Sequence, residues 1–300
     1  MTSPPRLFIA DRILPAVHVR AREIFELVES VQDEPDGILA TINVPVDDAL
    51  LEAAGPGLKI VANYAVGVDN VDLGAAAARG IVVTNTPDVL TQATAEHAVG
   101  LMLALVRRIA EGDRLLRART EWHFSLDFML AEGLDGKAIG IVGAGRIGRA
   151  TAAMASAFGA RPVLIGRTDP LERLLGELDI VSLHCPLTPQ TRHLIDADAL
   201  ALMKRQAFLV NTARGPLVDE EALADALERG ALAGAALDVF EHEPRVTERL
   251  LEMENVVVTP HMGSGTRATR EAMGFMALRS LEQMLVAGES PVNQVAVART

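Results

Sequence analysis

Gly143, Gly145 and Gly148 stand in the spacing G-x-G-x-x-G, directly after the apolar run Ala138–Val142 and just ahead of an alanine-rich stretch, 149–158. A strand, a glycine loop and a helix in that order can cradle the pyrophosphate of a dinucleotide. Gly143 permits the tight turn, Gly145 lets the phosphates approach the backbone, and Gly148 lets helix and strand pack closely. Arg146 and Ile147 complete the loop, where free N–H groups and the positive end of a helix dipole favour an anion. Such a loop is weak as an isolated pattern; the strand before it and the helix after it supply the context that gives it meaning.

The next apolar run ends Val163-Leu164-Ile165-Gly166-Arg167-Thr168. A site for NAD(H) places an acidic residue at this strand end, where it holds the ribose 2′-hydroxyl. Gly166 takes that place, and Arg167 and Thr168 follow with a cation and a hydroxyl that suit a 2′-phosphate through charge-assisted hydrogen bonds. NADP(H) is therefore the favoured cofactor, and NAD(H) stays open through Asp169, which could turn inward. Residues 168–179 leave room for one short helix before the next strand, so this sheet is expected to lack a strand on its adenine side.

The net charge of −12 argues against a nucleic-acid or membrane-surface partner, and an anionic substrate would need a local cation. The single cysteine, Cys185, excludes an internal disulfide and a Cys-type zinc site, and no metal is expected. Residues 1–12 lack a signal-type apolar run, and the longest apolar stretch, 98–109, is too short for a bilayer and holds Arg107 and Arg108. A cytoplasmic protein is expected.

The elements that must position these residues form two alternating series. Short apolar runs at 6–10, 37–41, 59–62 and 81–84 read as buried parallel strands, with helices between them such as 17–30 and 71–79. One long helix is expected over 91–119. A second series follows, with strands at Ala138–Val142, 162–165, 180–184, Phe208–Asn211, 234–238 and 256–259, and a last helix at 266–286. Strand–helix alternation of this kind makes an α/β protein with two doubly wound parallel sheets. The expected division is 1–97 with 264–300 as one domain and 98–263 as the other.

Several stretches, in order along nearly the whole chain, resemble the D-isomer-specific 2-hydroxyacid dehydrogenases: 63–72 (NYAVGVDNVD), 83–87 (VTNTP), 134–137 (LDGK), 184–188 (HCPLT), 211–215 (NTARG), 237–244 (LDVFEHEP) and 259–264 (TPHMGS). The resemblance implies a flavodoxin-like substrate domain, a Rossmann nucleotide-binding domain and a homodimer. It also implies roles. Arg214 would grip the substrate carboxylate and polarise the keto oxygen, His261 would act as general acid, and Glu243 would orient the His261 ring and favour its protonated form. Backbone N–H groups around Val66 and Gly67 would hold the rest of the carboxylate. Asp238 would face the nicotinamide with Thr212 and Ala213 nearby, and Cys185, Pro186, Thr191 and Gly263 would complete the cofactor contacts. His97 and His242 match no motif role and read as structural. The 63–67 loop is similar to that of glyoxylate and hydroxypyruvate reductases, which implies a small 2-keto acid as substrate. Phosphoglycerate dehydrogenases tend to carry Arg where Asn63 stands. A different dehydrogenase of the family, a cofactor-sensing binding protein similar to the corepressors of this fold, and an inactive relative are the alternatives.

Overall fold

The computed structural model describes residues 3–296. The chain divides into two units: the first runs to Leu90 and resumes at Thr266, and the second spans Thr91–Gly265. The division falls at 90/91 and 265/266 rather than at the expected 97/98 and 263/264. The reason is packing: Leu101, Met102, Leu105 and Val106 of the helix Thr91–Val106 share a buried cluster with Ile139, Ile141, Val210, Ala236 and Val257 of the second sheet.

The first unit holds five parallel strands, β1 (Arg6–Ile9), β2 (Glu26–Val28), β3 (Gly37–Ala40), β4 (Ile60–Asn63) and β5 (Val82–Thr84), in the order β2-β1-β3-β4-β5. That is the flavodoxin-like order. Successive residues point to opposite faces. Ile38, Ala40 and Val61 enter one core with Val46, Leu51 and Ala76, while Leu39, Ile60 and Ala62 enter another with Val17, Ala21, Ala277 and Leu281. The helix expected over 17–30 is instead Pro15–Ile24, because Phe25 turns extended (φ −121°, ψ 152°) and the chain enters β2, paired with β1 from Arg6↔Glu26 to Phe8↔Val28.

The second unit holds β6 (Ala138–Val142), β7 (Arg161–Ile165), β8 (Ile180–Leu183), β9 (Phe208–Asn211), β10 (Gly234–Leu237) and β11 (Val256–Val258), all parallel, in the order β11-β10-β9-β8-β6-β7. The order in which strands are added reverses at β6, which has β7 on one side and β8 on the other. After β7 the chain makes one short helix, Leu171–Leu175, and crosses to β8, so β7 is left as the edge of the sheet, as the short 168–179 segment implied. The expected helix 91–119 is broken: Arg108 adopts a left-handed conformation (φ 54°) with its guanidinium Nε on Glu111 (2.7 Å), separating Thr91–Val106 from Ile109–Arg117. The helix after the glycine loop begins at Arg146 rather than 149, inside the loop itself.

Candidate active site

In open α/β sheets ligands sit beyond the carboxyl ends of the strands, where the strand order reverses. The expected cofactor and catalytic residues of the second unit all lie at those ends. After β6, Gly143 has φ 106°, and a Cβ there would lie 2.5 Å from the carbonyl carbon of His184 and 2.6 Å from the nitrogen of Cys185. Only glycine lets this turn pass the exit of β8. A Cβ on Gly148 would strike the carbonyl oxygen of Gly143, so the helix Arg146–Ala157 lies directly on the loop. The first N–H groups of that helix have no intrahelical acceptor. A Cβ on Gly145 would meet nothing within 4 Å, so the smallness of that residue serves no packing need of the protein itself.

After β7, the N–H of Gly166 donates to Asp169 Oδ2 (2.7 Å), and a Cβ at 166 would stand 3.4 Å from that oxygen. A carboxylate, that of Asp169, thus lies at the strand end beside the exposed Arg167 and Thr168.

After β8, burial pushes the Cys185 thiol up to about 11, which leaves it protonated and a poor nucleophile. Pro186 is exposed, and its carbonyl accepts the Thr191 hydroxyl (2.8 Å), which also accepts the N–H of Thr188 (2.7 Å); Thr191 closes the 186–191 turn. After β9, Thr212 is buried, and its hydroxyl meets no hydrogen-bond partner among the described residues. The Ala213 N–H donates to Asn211 Oδ1 (3.1 Å), and the carbonyl of Arg214 accepts Asn211 Nδ2 (2.8 Å). A glycine cradle that a side chain would fill, an open helix N-terminus and an unsatisfied buried hydroxyl fit a dinucleotide.

Arg214 donates through a guanidinium nitrogen to the carbonyl of Ala213 (2.6 Å). Gly215 lies so close to the backbone of Phe240 and Glu241 that any side chain would collide with it, and this contact brings the loop after β9 against the loop after β10. Glu243 stands in that second loop. One of its oxygens accepts the N–H of Phe240 (3.0 Å), and the other meets His261 Nδ1 (2.8 Å). Burial pushes the Glu243 carboxyl up, but the hydrogen bond and charge of His261, the Phe240 N–H and the charge of Arg214 outweigh it and hold the group below the usual range. Glu243 is therefore ionised at neutral pH. With Nδ1 committed, Nε2 is the His261 nitrogen left for another partner. Arg214, Glu243 and His261 meet in one place.

His261 itself has a left-handed backbone (φ 50°). Asp238, fully buried after β10, holds the turn that follows it: its carboxylate accepts the N–H of Met262 (2.7 Å) and of Gly263 (2.8 Å), and its carbonyl accepts the N–H of His261 (2.8 Å). The same carboxylate accepts the Thr259 hydroxyl (2.6 Å) and His97 Nε2 (3.0 Å). It is turned inward, onto donors of its own unit. His97 and Thr259 were not singled out from the sequence as working residues; His97 stands 141 positions from Asp238, and no local pattern joins them.

Val66 and Gly67 lie in the first unit, in the loop after β4. The Val66 carbonyl accepts Asn85 Nδ2 and the Gly67 carbonyl accepts Asn63 Nδ2, both at 2.8 Å. In a trans peptide N–H and C=O point oppositely, so these bonds also fix the direction of the N–H groups of Gly67 and Val68. Among the described residues no helix is long and apolar enough to cross a membrane, and no group of His, Cys, Asp and Glu is disposed to hold a metal ion.

Residues 99–263 match the family model described as D-isomer specific 2-hydroxyacid dehydrogenase, NAD binding domain. The chain is 45% identical over 288 residues to a glyoxylate reductase of Thermococcus litoralis, covering 90% of this chain and 86% of that one. It is 46% identical over 275 residues to a glyoxylate reductase of Pyrococcus furiosus, covering 85% and 81%. Among solved structures it is similar to an NADPH-dependent glyoxylate/hydroxypyruvate reductase from Sinorhizobium meliloti in complex with NADP and malonate (TM-score 0.87, 35% identity, 98% of this chain and 97% of that one). A glyoxylate reductase from Paecilomyes thermophila gives a TM-score of 0.88 at 31% identity, over 98% of this chain and 99% of that one.

Proposed function

This chain belongs to the D-isomer-specific 2-hydroxyacid dehydrogenase family, NAD(P)-dependent oxidoreductases acting on CH–OH groups, and from that premise we propose that it reduces a small 2-keto acid, glyoxylate or hydroxypyruvate, to the D-2-hydroxy acid. Bound NAD(P)H supplies the hydride. Arg214 grips the substrate carboxylate with its planar fork and draws charge from the keto oxygen. His261, through Nε2, gives that oxygen its proton as the carbon is reduced. Glu243 stays ionised, holds the ring by Nδ1 and balances the imidazolium. Gly143, Gly145, Arg146, Ile147 and Gly148 would hold the pyrophosphate, and Thr212 and Ala213 would meet the nicotinamide.

The observation that carries this reading is the 2.8 Å bond between His261 Nδ1 and Glu243 Oε2, made at a carboxylate that also feels the charge of Arg214. A general acid, its orienting base and an anion-binding cation together suit carbonyl reduction in a carboxylic acid. The similarity to glyoxylate reductases at about 45% identity supports the substrate class.

For the cofactor, Arg167 and Thr168 favour NADP(H). A second reading, NAD(H), draws on Asp169, whose carboxylate at the N–H of Gly166 stands where a 2′-hydroxyl would be held. Steady-state assays over a panel of 2-keto acids, each with NADPH and NADH, test the proposal. Turnover is expected to be highest with glyoxylate or hydroxypyruvate; no turnover of any 2-keto acid with either cofactor overturns it.

A further inference from the structure

We propose that His97 is a positioning residue for this reaction, presenting His261 through the carboxylate of Asp238. The inference rests on the reading of His261 as the proton donor.

A buried carboxylate is costly unless its oxygens are well supplied with donors. Asp238 is fully buried, and its donors divide into two groups. The N–H groups of Met262 and Gly263 belong to the turn after His261, one on each carboxylate oxygen, and the His261 N–H is held by the carbonyl of the same residue. These bonds keep His261 in a left-handed conformation (φ 50°) that is costly for a residue with a Cβ. The second group, the Thr259 hydroxyl and His97 Nε2, meets Oδ1 alone and so fixes which way the carboxylate plane lies.

His97 is the donor that comes from outside the strand-end loops. It lies in the helix Thr91–Val106, which is packed on β9, β10 and β11 through Leu101, Met102 and Leu105. Its Nε2 stands 3.0 Å from Asp238 Oδ1 and 3.1 Å from Thr259 Oγ1. The Thr259 hydroxyl spends its own proton on Asp238, so both neighbours of Nε2 are acceptors and Nε2 carries a hydrogen. The ring thereby links a rigid helix to the ends of two strands. Burial pushes the Asp238 carboxyl up, yet the His97 and Thr259 bonds and the Met262 N–H outweigh it and hold the group below its usual range, as a permanent anchor requires. Without His97 the carboxylate loses the donor that ties it to the helix, and the turn carrying His261 gains freedom. Arg214 follows β9, where Asn211 Nδ2 holds its carbonyl (2.8 Å), so binding of the substrate carboxylate survives while proton delivery suffers.

The test compares His97→Leu, which removes the donor at similar volume, with His97→Gln, whose amide nitrogen can reach the same position. His97→Leu is expected to lower kcat by about 10- to 100-fold, the scale of a misplacement of roughly 1 Å, with KM for the keto acid and the Kd for NADPH within about threefold of wild type. The solvent deuterium isotope effect on kcat should rise, and His97→Gln should recover kcat to within about fivefold. An unchanged kcat in His97→Leu, a loss carried by KM, or an equal loss in His97→Gln overturns the proposal. If His97→Leu does not fold, Thr259→Val must show the same kcat-specific loss, and an unchanged kcat there overturns it equally. His261→Asn run in parallel separates the two readings: full activity in His261→Asn sinks the assignment of the proton donor, whereas an inactive His261→Asn beside an unaffected His97→Leu sinks only the role of His97.

Discussion

The two flanks of the second sheet are built differently. At β10 and β11, Asp238 is fully buried, Glu243 and His261 are bonded to one another, and even the backbone turn is fixed by a carboxylate. At β7, the residues that would meet the 2′ substituent of a dinucleotide, Arg167, Thr168 and Asp169, are exposed, and among the described residues the strand they follow has no neighbour on its outer side. The bonds of the buried Asp238 lie in a dry, preorganised place and are each worth more than those of solvated side chains, whereas the side chains of Glu243 and His261 are themselves 35% and 32% exposed. On the proposed reading, the turn that carries His261 is set before any ligand arrives, while Arg167, Thr168 and Asp169, the candidates for choosing the cofactor, are screened by water.

The largest test of this contrast is at Glu243. Glu243→Gln keeps the shape and removes the charge that balances an imidazolium, and kcat/KM is expected to fall by about 10³-fold, within the range for loss of acid–base catalysis, with little change in NADPH affinity by fluorescence titration. A fall of less than about threefold would place the working charge elsewhere.

A smaller effect concerns the middle of the sheet. His184, after β8, has its Nε2 on the Ser182 hydroxyl (2.8 Å), and burial pushes its pKa down to about 4 from 6.5. Between those values the unfolded chain takes up a proton that the folded chain refuses, so stability is full above about pH 6.5 and is lost as pH falls toward 4. The expected loss is up to about 2 kcal/mol between pH 7 and 5, read by urea unfolding. His184→Gln should flatten this dependence; an equally steep curve in the variant assigns the acid sensitivity to other groups.

The smallest effect belongs to the exposed flank. Arg167→Ala should move the ratio of kcat/KM for NADPH over NADH down by about tenfold, and Asp169→Asn should move it up by a similar factor, roughly 1.4 kcal/mol each way. Melting temperatures should not move. If either variant also lowers kcat with saturating cofactor, the two flanks are not as independent as the hydrogen bonds imply.

Much of the second unit could be read in the amino-acid order. Its strands are short, mostly apolar runs, the glycine loop sits between one of them and a helix, and Arg214, Glu243 and His261 follow successive strands. Failures came where local pattern and tertiary pairing disagree. β2 is three residues long, begins with Glu26 and has β1 as its partner, so helical spacing from Val17 onward concealed it. The break at Arg108 depends on a left-handed residue that is not glycine, and the Glu111 contact that accompanies it carries no sequence signature. In the sequence Asp169 is only an alternative acid beyond the strand end, because the direction a side chain takes after a turn is not written in its neighbours. His97 passed for a structural histidine since its partner is distant along the chain.

The missing strand beyond β7 has a consequence for how the molecule keeps to itself. An uncovered parallel strand with Val163 and Leu164 more than a third exposed offers a template on which another chain could add, the start of aggregation. Pro162 interrupts that template. It has no N–H to offer, and in a parallel sheet a proline is tolerated at an edge and not between two neighbours. Arg161 beside it adds a charge that a stacked copy would repel. A bare sheet border and a proline within it thus belong together: the last rung offers one donor fewer to any strand that would add there.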